Sequence, residues 1–327
     1  MRPTAAGDAS EAVASPDRSW YADPMSSARH PAVAAAPTPH FTRDTAVDRV
    51  GPGRYTATLH DAWSLVHPQG GIVTVVGLRA MLAELDLPAQ RLRSVTTVFA
   101  AQVRSGPVEI DVTVLRRGRS MSQLSAIVRN PGESAGAAVV AVFGDRRPGF
   151  EFVDVARPVV PPPEDCPSWR DPPPSGFERR VRFPYWDHVH GRAALGHAPW
   201  DTWVPTTSER ASWYRFDDPP IVDGGRLDPL ALVTLSDTMP GAINERMGPG
   251  GPFWMPPSAD LTIHLFGDAG PGWLLAHNRA RAAGDGYASV EMTLWDAERG
   301  LVAYATQMMV FSFPDGPPSP EQIRPPQ

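Results

Sequence analysis

The chain has 327 residues, of which 42% are hydrophobic, so it can bury a large core in one or two domains. Its net charge of -6 gives no electrostatic reason to expect nucleic acid or a membrane as a partner. All 30 basic residues are arginine, which excludes a lysine Schiff base and a lysine-dependent phosphate loop. The single cysteine, Cys166, excludes intrachain disulfides and clusters of thiolate metal ligands, and we expect no cofactor and no metal.

The sequence contains no run of 18 apolar residues, so we expect no transmembrane helix. The first residues lack the continuous apolar segment that signal peptides carry, and we therefore expect a cytoplasmic protein. Residues 1–45 are rich in Ala, Pro, Ser and Asp and have little apolar periodicity, which predicts a disordered extension. The proline-rich residues 314–327 predict a disordered tail.

An N-terminal domain is predicted over residues 46–147. It begins with a strand over residues 54–59, where apolar and polar residues alternate. A helix follows over residues 70–85, and the adjacent Gly70 and Gly71 at its start let another chain or a ligand approach the backbone. Strands then follow at about residues 92–104, 107–117, 119–130 and 136–144. This order predicts an antiparallel sheet curled around one helix.

A proline-rich linker is predicted over residues 148–178, and a C-terminal domain follows over residues 179–313. Two strands, over residues 178–185 and 210–216, flank a loop-rich insertion. A helix is predicted over residues 228–243. It is followed by strands at about residues 258–266, 272–283, 286–296 and 301–313. The C-terminal domain therefore repeats the pattern of the N-terminal one.

The helix over residues 228–243 carries one carboxylate among apolar residues. Asp228 is a good N-cap, and Pro229 fits the first helical position because its missing N–H costs nothing there. Asp237 lies on the same face as residues that we expect to be buried. Pro240 removes the N–H that would bond to the carbonyl of Ser236, so the helix should kink beside Asp237. Such an acid is either part of a site or a satisfied structural cap.

An offset of 166 residues aligns the two halves of the sequence. It places Met81 on Met247, Thr96 on Thr262, Gly106 on Gly272 and Gly118 on Gly284. Asp237 falls on Gly71, and after a longer turn Gln307 falls on Val139. Because the first copy is built without these polar side chains, the fold does not require them, which favours a chemical role for Asp237.

A helix wrapped by a long antiparallel sheet, present twice in one chain, resembles the double-hotdog acyl-CoA thioesterases of the thioesterase II type. The resemblance covers about residues 45–313. Its strongest pieces are Trp63 to Gly71, Arg91 to Ser120, Leu235 to Asp237, Ser258 to His264, Gly272 to Leu275, Trp295-Asp296 and Ala305 to Gln307. The resemblance implies an α+β fold, a double hotdog made of two tandem units.

The active site of this family resembles an Asp on the second helix, a hydroxyl on the next strand and a Gln on the last strand. Asp237 and Gln307 match the first and third positions. The family usually has Thr two residues before an Asp, and here Ser258 stands two before Asp260, with Thr262 as the alternative hydroxyl. Because side chains alternate along a strand, we expect Ser258, Asp260 and Thr262 to face inward together.

Four further residues are candidate contacts of the substrate. The N–H groups of Gly70 and Gly71 are placed to face the thioester oxygen, and Trp254 indicates a bulky apolar wall. His264 is the fourth, and it is also the candidate acid–base residue of a dehydratase, although a histidine on a strand is more often a packed one.

Hydrolysis of a thioester needs a positioned water, an acceptor for its proton and donors for the developing oxyanion. The resemblance implies a thioesterase that acts on an acyl-CoA or acyl-carrier-protein thioester. A dehydratase, a cyclase or a non-hydrolytic acyl-binding protein stays open, because fold alone does not decide the chemistry. The resemblance also implies a homodimer or homotetramer, since unpaired sheet edges favour association.

Overall fold

The computed structural model describes residues 40–177, 183–198, 200–319 and 321–322. Its helices are α1 (Phe41–Asp44), α2 (Gly70–Leu85), α3 (Pro229–Ser236) and α4 (Gly241–Met247). Its strands are β1 (Asp48–Gly51), β2 (Arg54–Leu59), β3 (Arg91–Phe99), β4 (Gly106–Arg116), β5 (Met121–Arg129), β6 (Ala137–Gly144), β7 (Val189–Leu195), β8 (Glu209–Phe216), β9 (Ile221–Val222), β10 (Arg226–Leu227), β11 (Asp260–Leu265), β12 (Leu274–Gly284), β13 (Tyr287–Asp296) and β14 (Gly300–Val310).

Twelve strands form one antiparallel sheet in the order β1-β2-β4-β5-β6-β3-β11-β14-β13-β12-β8-β7. Reading outward from the β3–β11 pair, both halves have the same order, with β2 matched by β8 and β1 by β7. Side chains alternate between the two sides of the sheet. In β5, for example, Ser122, Leu124, Ala126 and Val128 are buried, and the residues between them are partly or fully exposed.

The helix α2 packs against the strands of the first half of the sheet. The predicted helix over Gly70–Leu85 is confirmed, and eleven of its sixteen residues are buried. A helix that is apolar all round must be enclosed, and α2 contacts β2, β4, β5 and β6. None of the described helices combines the length and apolarity needed to span a bilayer.

The second helix is interrupted at the predicted place. Asp228 caps α3 by accepting from the N–H of Leu230 over 3.0 Å. The helix ends at Ser236, and the chain turns through Asp237 to Pro240 before α4 begins. The single helix expected over residues 228–243 is therefore two helices, because Pro240 cannot continue the ladder of hydrogen bonds. Asp237 lies at the C-terminal end of α3, with φ -96° and ψ 46°.

The two halves are related by a local two-fold axis. β3 and β11 pair antiparallel with Thr96 directly opposite Thr262, and their hydroxyl oxygens are 3.0 Å apart. These two threonines are equivalent under the offset of 166 residues. Because only residues on a two-fold axis face their own equivalents, the axis crosses the sheet between these two threonines.

Several predicted boundaries differ from the structure, and β7 (Val189–Leu195) lies within the predicted loop-rich insertion. Residues 41–44 of the extension expected through residue 45 form α1, and Phe41 is fully buried against the rings of Trp63 and Phe216. The strand expected over residues 178–185 is also wrong in its last part, where Pro184–Asp187 form a 3-10 turn. Residues 178–182 lie outside the described residues, as do residues 1–39 of the predicted extension.

Candidate active site

Asp237 is held at the junction of the two halves. Its side chain is buried, and its Oδ2 accepts from the backbone N–H of Gly71 over 2.8 Å. Its Oδ1 accepts from Nε2 of Gln307 over 2.6 Å. The helix break exposes the C-terminal end of α3 to the N-terminal end of α2, so an acid from the second half meets free N–H groups of the first.

Burial raises the pKa of Asp237 from its ordinary value of 3.8 to about 6. Hydrogen bonds from the N–H of Gly71, the amide of Gln307 and the N–H of Gly70 oppose this rise, because they stabilise the carboxylate. A carboxylate with this pKa is ionised at neutral pH and is still basic enough to accept a proton during a reaction.

Ser258 and Gln307 complete the cluster. Gln307 lies near the end of β14, where it is 2% exposed, and its Nε2 also donates to Oγ of Ser258 over 2.6 Å. One amide group therefore joins the hydroxyl to the carboxylate. Oε1 of Gln307 is buried and has no hydrogen-bond partner among the described residues, so it is an acceptor available to a bound molecule.

The expectation that Asp260 and Thr262 face inward with Ser258 is wrong. Thr262 pairs with Thr306, whereas Ser258, four residues earlier, pairs with Met309, only three residues later. One extra residue therefore lies on the β11 side, and a shift of one residue reverses which face the side chains occupy. Thr262 contacts Thr96 on the outer face, so Ser258 is the hydroxyl beside Asp237.

His264 is also on the outer face of the sheet. It is exposed and pairs with Ser94 and Tyr304, two residues along β11 from Thr262. The suggestion that it contacts substrate is therefore wrong for the same reason. The dehydratase hypothesis depended on His264 facing an acid inside the tunnel, and this placement removes that histidine.

Gly70 and Gly71 allow the two halves to touch. A Cβ atom on Gly71 would lie 2.7 Å from Cα of Thr234 and 3.2 Å from Cβ of Asp237. A Cβ atom on Gly70 would lie 3.0 Å from Oδ2 of Asp237 and 2.6 Å from Cζ of Phe99. The double glycine is thus explained by close packing against the carboxylate.

Trp254 lies in the segment that precedes β11. It is partly buried, and its ring meets the edge of the Phe311 ring at a centroid distance of 5.1 Å. Met255 pairs with Ser312, which ties the segment to the chain just beyond β14. Within the described parts of the chain, no group of three or more His, Cys, Asp or Glu is arranged to hold a metal ion.

Sequence reasoning missed a buried polar network beside Asp237. Gln69, Thr234 and Tyr185 are all buried. Nε2 of Gln69 donates to the backbone carbonyls of Thr234 and Asp237, over 2.8 and 3.2 Å. The hydroxyl of Thr234 donates to Oε1 of Gln69 and lies 3.1 Å from the hydroxyl of Tyr185. Its members lie far apart in the sequence, and the only local signal was that Gln69 precedes the helix-opening glycines.

Solved structures similar to this chain include a hot dog fold protein and thioesterases. A hot dog fold protein of unknown function from Alicyclobacillus acidocaldarius has 24% identity, with a TM-score of 0.69 over 84% of this chain and 98% of its own. A putative thioesterase II from Thermobifida fusca has 24% identity, with a TM-score of 0.67 over 85% and 99%. An acyl-CoA thioesterase II from Mycobacterium marinum has 20% identity, with a TM-score of 0.65 over 85% and 100%. These similarities show the hotdog fold.

Family models establish the class of enzyme. The acyl-CoA thioesterase N-terminal domain matches residues 59–144, and the acyl-CoA thioesterase C-terminal domain matches residues 163–311. No curated protein matches the sequence. The chain belongs to the acyl-CoA thioesterase family, and it is a hydrolase with the double-hotdog fold.

Proposed function

We propose that this chain hydrolyses acyl-CoA thioesters with a water activated by Asp237. The observation that carries the proposal is a buried carboxylate that accepts from an amide and from a helix N-terminus, with the same amide bonded to a serine hydroxyl, within a chain of the acyl-CoA thioesterase family. The equivalent positions of the first half are Gly71, Leu92 and Ala141, which have no side-chain polar atoms. A single catalytic site per chain follows from this difference. The pairing of Gln307 with Val139 expected from the sequence is wrong, because Gln307 faces Val290 as Ala141 faces Leu124, and the offset of 166 continues through β14.

In the proposed reaction, Asp237 accepts a proton from water while the water oxygen attacks the carbonyl carbon of the thioester. The tetrahedral intermediate then collapses, the C–S bond breaks, and the CoA thiolate leaves and takes up a proton. Gln307 and Ser258 orient the water. The Gln307 amide donates to both the Asp237 carboxylate and the Ser258 hydroxyl, which leaves Oε1 of Gln307 as an acceptor and the hydroxyl hydrogen of Ser258 as a donor. Trp254 is a proposed contact of the substrate. The N–H groups of Gly70 and Gly71, which were expected to face the thioester oxygen, hydrogen-bond to the Asp237 carboxylate instead.

Acyl-CoA is favoured over an acyl-carrier-protein thioester by the description of the matching family models. A passive acyl-binding protein would keep the apolar interior but would have no use for a buried acid with a raised pKa. A location in the cytoplasm and assembly into a homodimer or homotetramer stay predictions from the sequence.

The decisive experiment measures thiol release from acyl-CoAs of increasing chain length. Asp237→Asn should lower kcat by about 10²–10⁴-fold, the usual contribution of a general base. Asp111→Asn is the matched control, because it neutralises a carboxylate that is paired with Arg129 on a strand, away from the proposed site. Acyl-CoA binding without thiol release by the unmodified protein, or full activity of Asp237→Asn, would refute the proposal.

A further inference from the structure

We infer that Gln69 is a positioning residue that fixes Asp237 from the opposite half of the chain. The inference rests on the proposed catalytic role of Asp237. Gln69 is 2% exposed and immediately precedes α2 in the half that has lost its own polar site. Its amide therefore reaches across the junction of the two halves, to residues 165 and 168 positions later in the sequence.

The orientation of the Gln69 amide follows from its partners. Nε2 faces two backbone carbonyls, those of Thr234 and Asp237, which can only accept. Oε1 must then accept, so the Thr234 hydroxyl gives it its single proton. The Tyr185 hydroxyl lies 3.1 Å from the Thr234 hydroxyl and belongs to the same network. The two backbone carbonyls and the Thr234 hydroxyl therefore define one orientation of the Gln69 amide.

Gln69 acts at the end of α3, where the regular ladder of helical hydrogen bonds stops. The Thr234 carbonyl accepts from the N–H of Asp237 over 3.2 Å, and Gln69 gives it a second donor while also donating to the Asp237 carbonyl. The N–H of Gly71, two residues further on, holds the Asp237 carboxylate. The backbone and the side chain of Asp237 are therefore fixed together by one end of α2.

This arrangement separates the roles of the two halves. The second half provides the reacting groups, and the first half determines where the carboxylate lies. A displacement of about 1 Å at a reacting group costs up to about 10²-fold in rate. Loss of the Gln69 amide is therefore expected to affect turnover more than substrate binding.

The test compares Gln69→Met with Gln90→Met. Gln90 is a matched control, because it is 3% exposed and its Nε2 also donates to two backbone carbonyls, those of Gly118 and Arg119, in a turn of the first half. Gln69→Met should lower kcat by about 10–100-fold with KM within about twofold, and should displace the pH midpoint of kcat/KM. Gln90→Met should lose thermal stability but keep both kinetic constants and the pH midpoint.

The inference is overturned if kcat of Gln69→Met stays within about twofold of the unmodified protein. It is also overturned if activity falls only in proportion to the folded fraction, at an unchanged pH midpoint. If Gln69→Met does not fold, Gln69→Glu takes its place, because it keeps the shape and the acceptor but loses the amide donors. An inactive Asp237→Asn beside a fully active Gln69 variant refutes the positioning role alone, whereas an active Asp237→Asn refutes the proposed function.

Discussion

The N–H of Gly71 donates to Oδ2 of Asp237 over 2.8 Å, although the two residues occupy equivalent positions in the two copies of the repeat. They meet because both positions lie near the local two-fold axis that also brings Thr96 onto Thr262. The duplication therefore provides a contact between the two halves of the chain that holds the Asp237 carboxylate. It places the start of α2 against the end of α3, and the carboxylate is bound between them.

The first prediction concerns this contact. Gly71→Ala should destabilise the protein by about 1–3 kcal/mol, the usual cost of overpacking, because the new Cβ would lie 2.7 Å from Cα of Thr234 and 3.1 Å from the carbonyl oxygen of Val233. Denaturant unfolding measures the change. Gly272→Ala is the control, since its Cβ would meet nothing within 4 Å, and it should change stability by no more than about 0.5 kcal/mol.

The second prediction concerns pH. The reactive form of Asp237 is ionised, and burial raises the pKa of this acid to about 6. kcat/KM should therefore rise about tenfold per pH unit below that value and level off above it. Initial rates at saturating and limiting acyl-CoA concentrations give the profile. An acidic limb of the kcat/KM profile centred near 3.8, the ordinary pKa of an aspartate, would contradict the burial of Asp237.

The raised pKa of Asp237 also makes the free energy of unfolding depend on pH. The folded-state pKa of Asp237 lies above its ordinary value of 3.8, so the protonated acid favours folding and this contribution is lost as the pH rises through about 6. The stability of Asp237→Asn relative to the unmodified protein should therefore be greater at pH 7.5 than at pH 4.5. Thermal melts of both proteins at the two pH values test this.

A third prediction concerns Gln307. Gln307→Glu would place a second carboxyl group where Nε2 now lies 2.6 Å from Asp237, and two such carboxylates share a proton at neutral pH. The acidic limb of kcat/KM should move to higher pH. Gln307→Met is the uncharged control; it should lower kcat with a smaller displacement of the limb. Equal displacement in both variants would argue against direct charge coupling between positions 237 and 307.

The fourth prediction distinguishes the two candidate hydroxyls. Ser258→Ala should lower kcat about tenfold, the value of one hydrogen bond of about 1.4 kcal/mol, because Oγ of Ser258 accepts from Gln307. Thr262→Val should leave kcat unchanged, because Thr262 contacts Thr96 on the outer face. Steady-state kinetics measure kcat of the two variants. A larger loss of kcat in Thr262→Val than in Ser258→Ala would contradict the assignment of Ser258 as the hydroxyl of the site.

The helices were largely predictable because their signals are local. The apolar run after Gly70 defines α2, and Asp228 with Pro229 defines the start of α3. Asp237 was identifiable from three sequence features: an apolar helix face, a nearby Pro240, and a glycine at the equivalent position of the repeat. Most strands of the large sheet were also found, with ends displaced by a few residues, since turn residues mark their limits only approximately. The strands β1, β7, β9 and β10 were missed, and β7 lies in the segment predicted as a loop-rich insertion.

The parts that were missed depend on contacts between distant residues. The face occupied by Thr262 and His264 depends on one extra residue between Ser258 and Thr262, which no composition pattern shows. The role of Gln69 depends on partners in the other half of the chain, which only the packing of the repeat brings near.

The glycine at position 71 also has a consequence for stoichiometry. In a dimer of identical hotdog units, every substitution appears at both half-sites, whereas the fused chain allows one half to change alone. Because Cα of Thr234 and Cβ of Asp237 crowd position 71, an acid cannot be placed there without separating the two halves. Each chain should therefore turn over one acyl group at a time, and a tight-binding acyl-CoA analogue should saturate at one equivalent per chain.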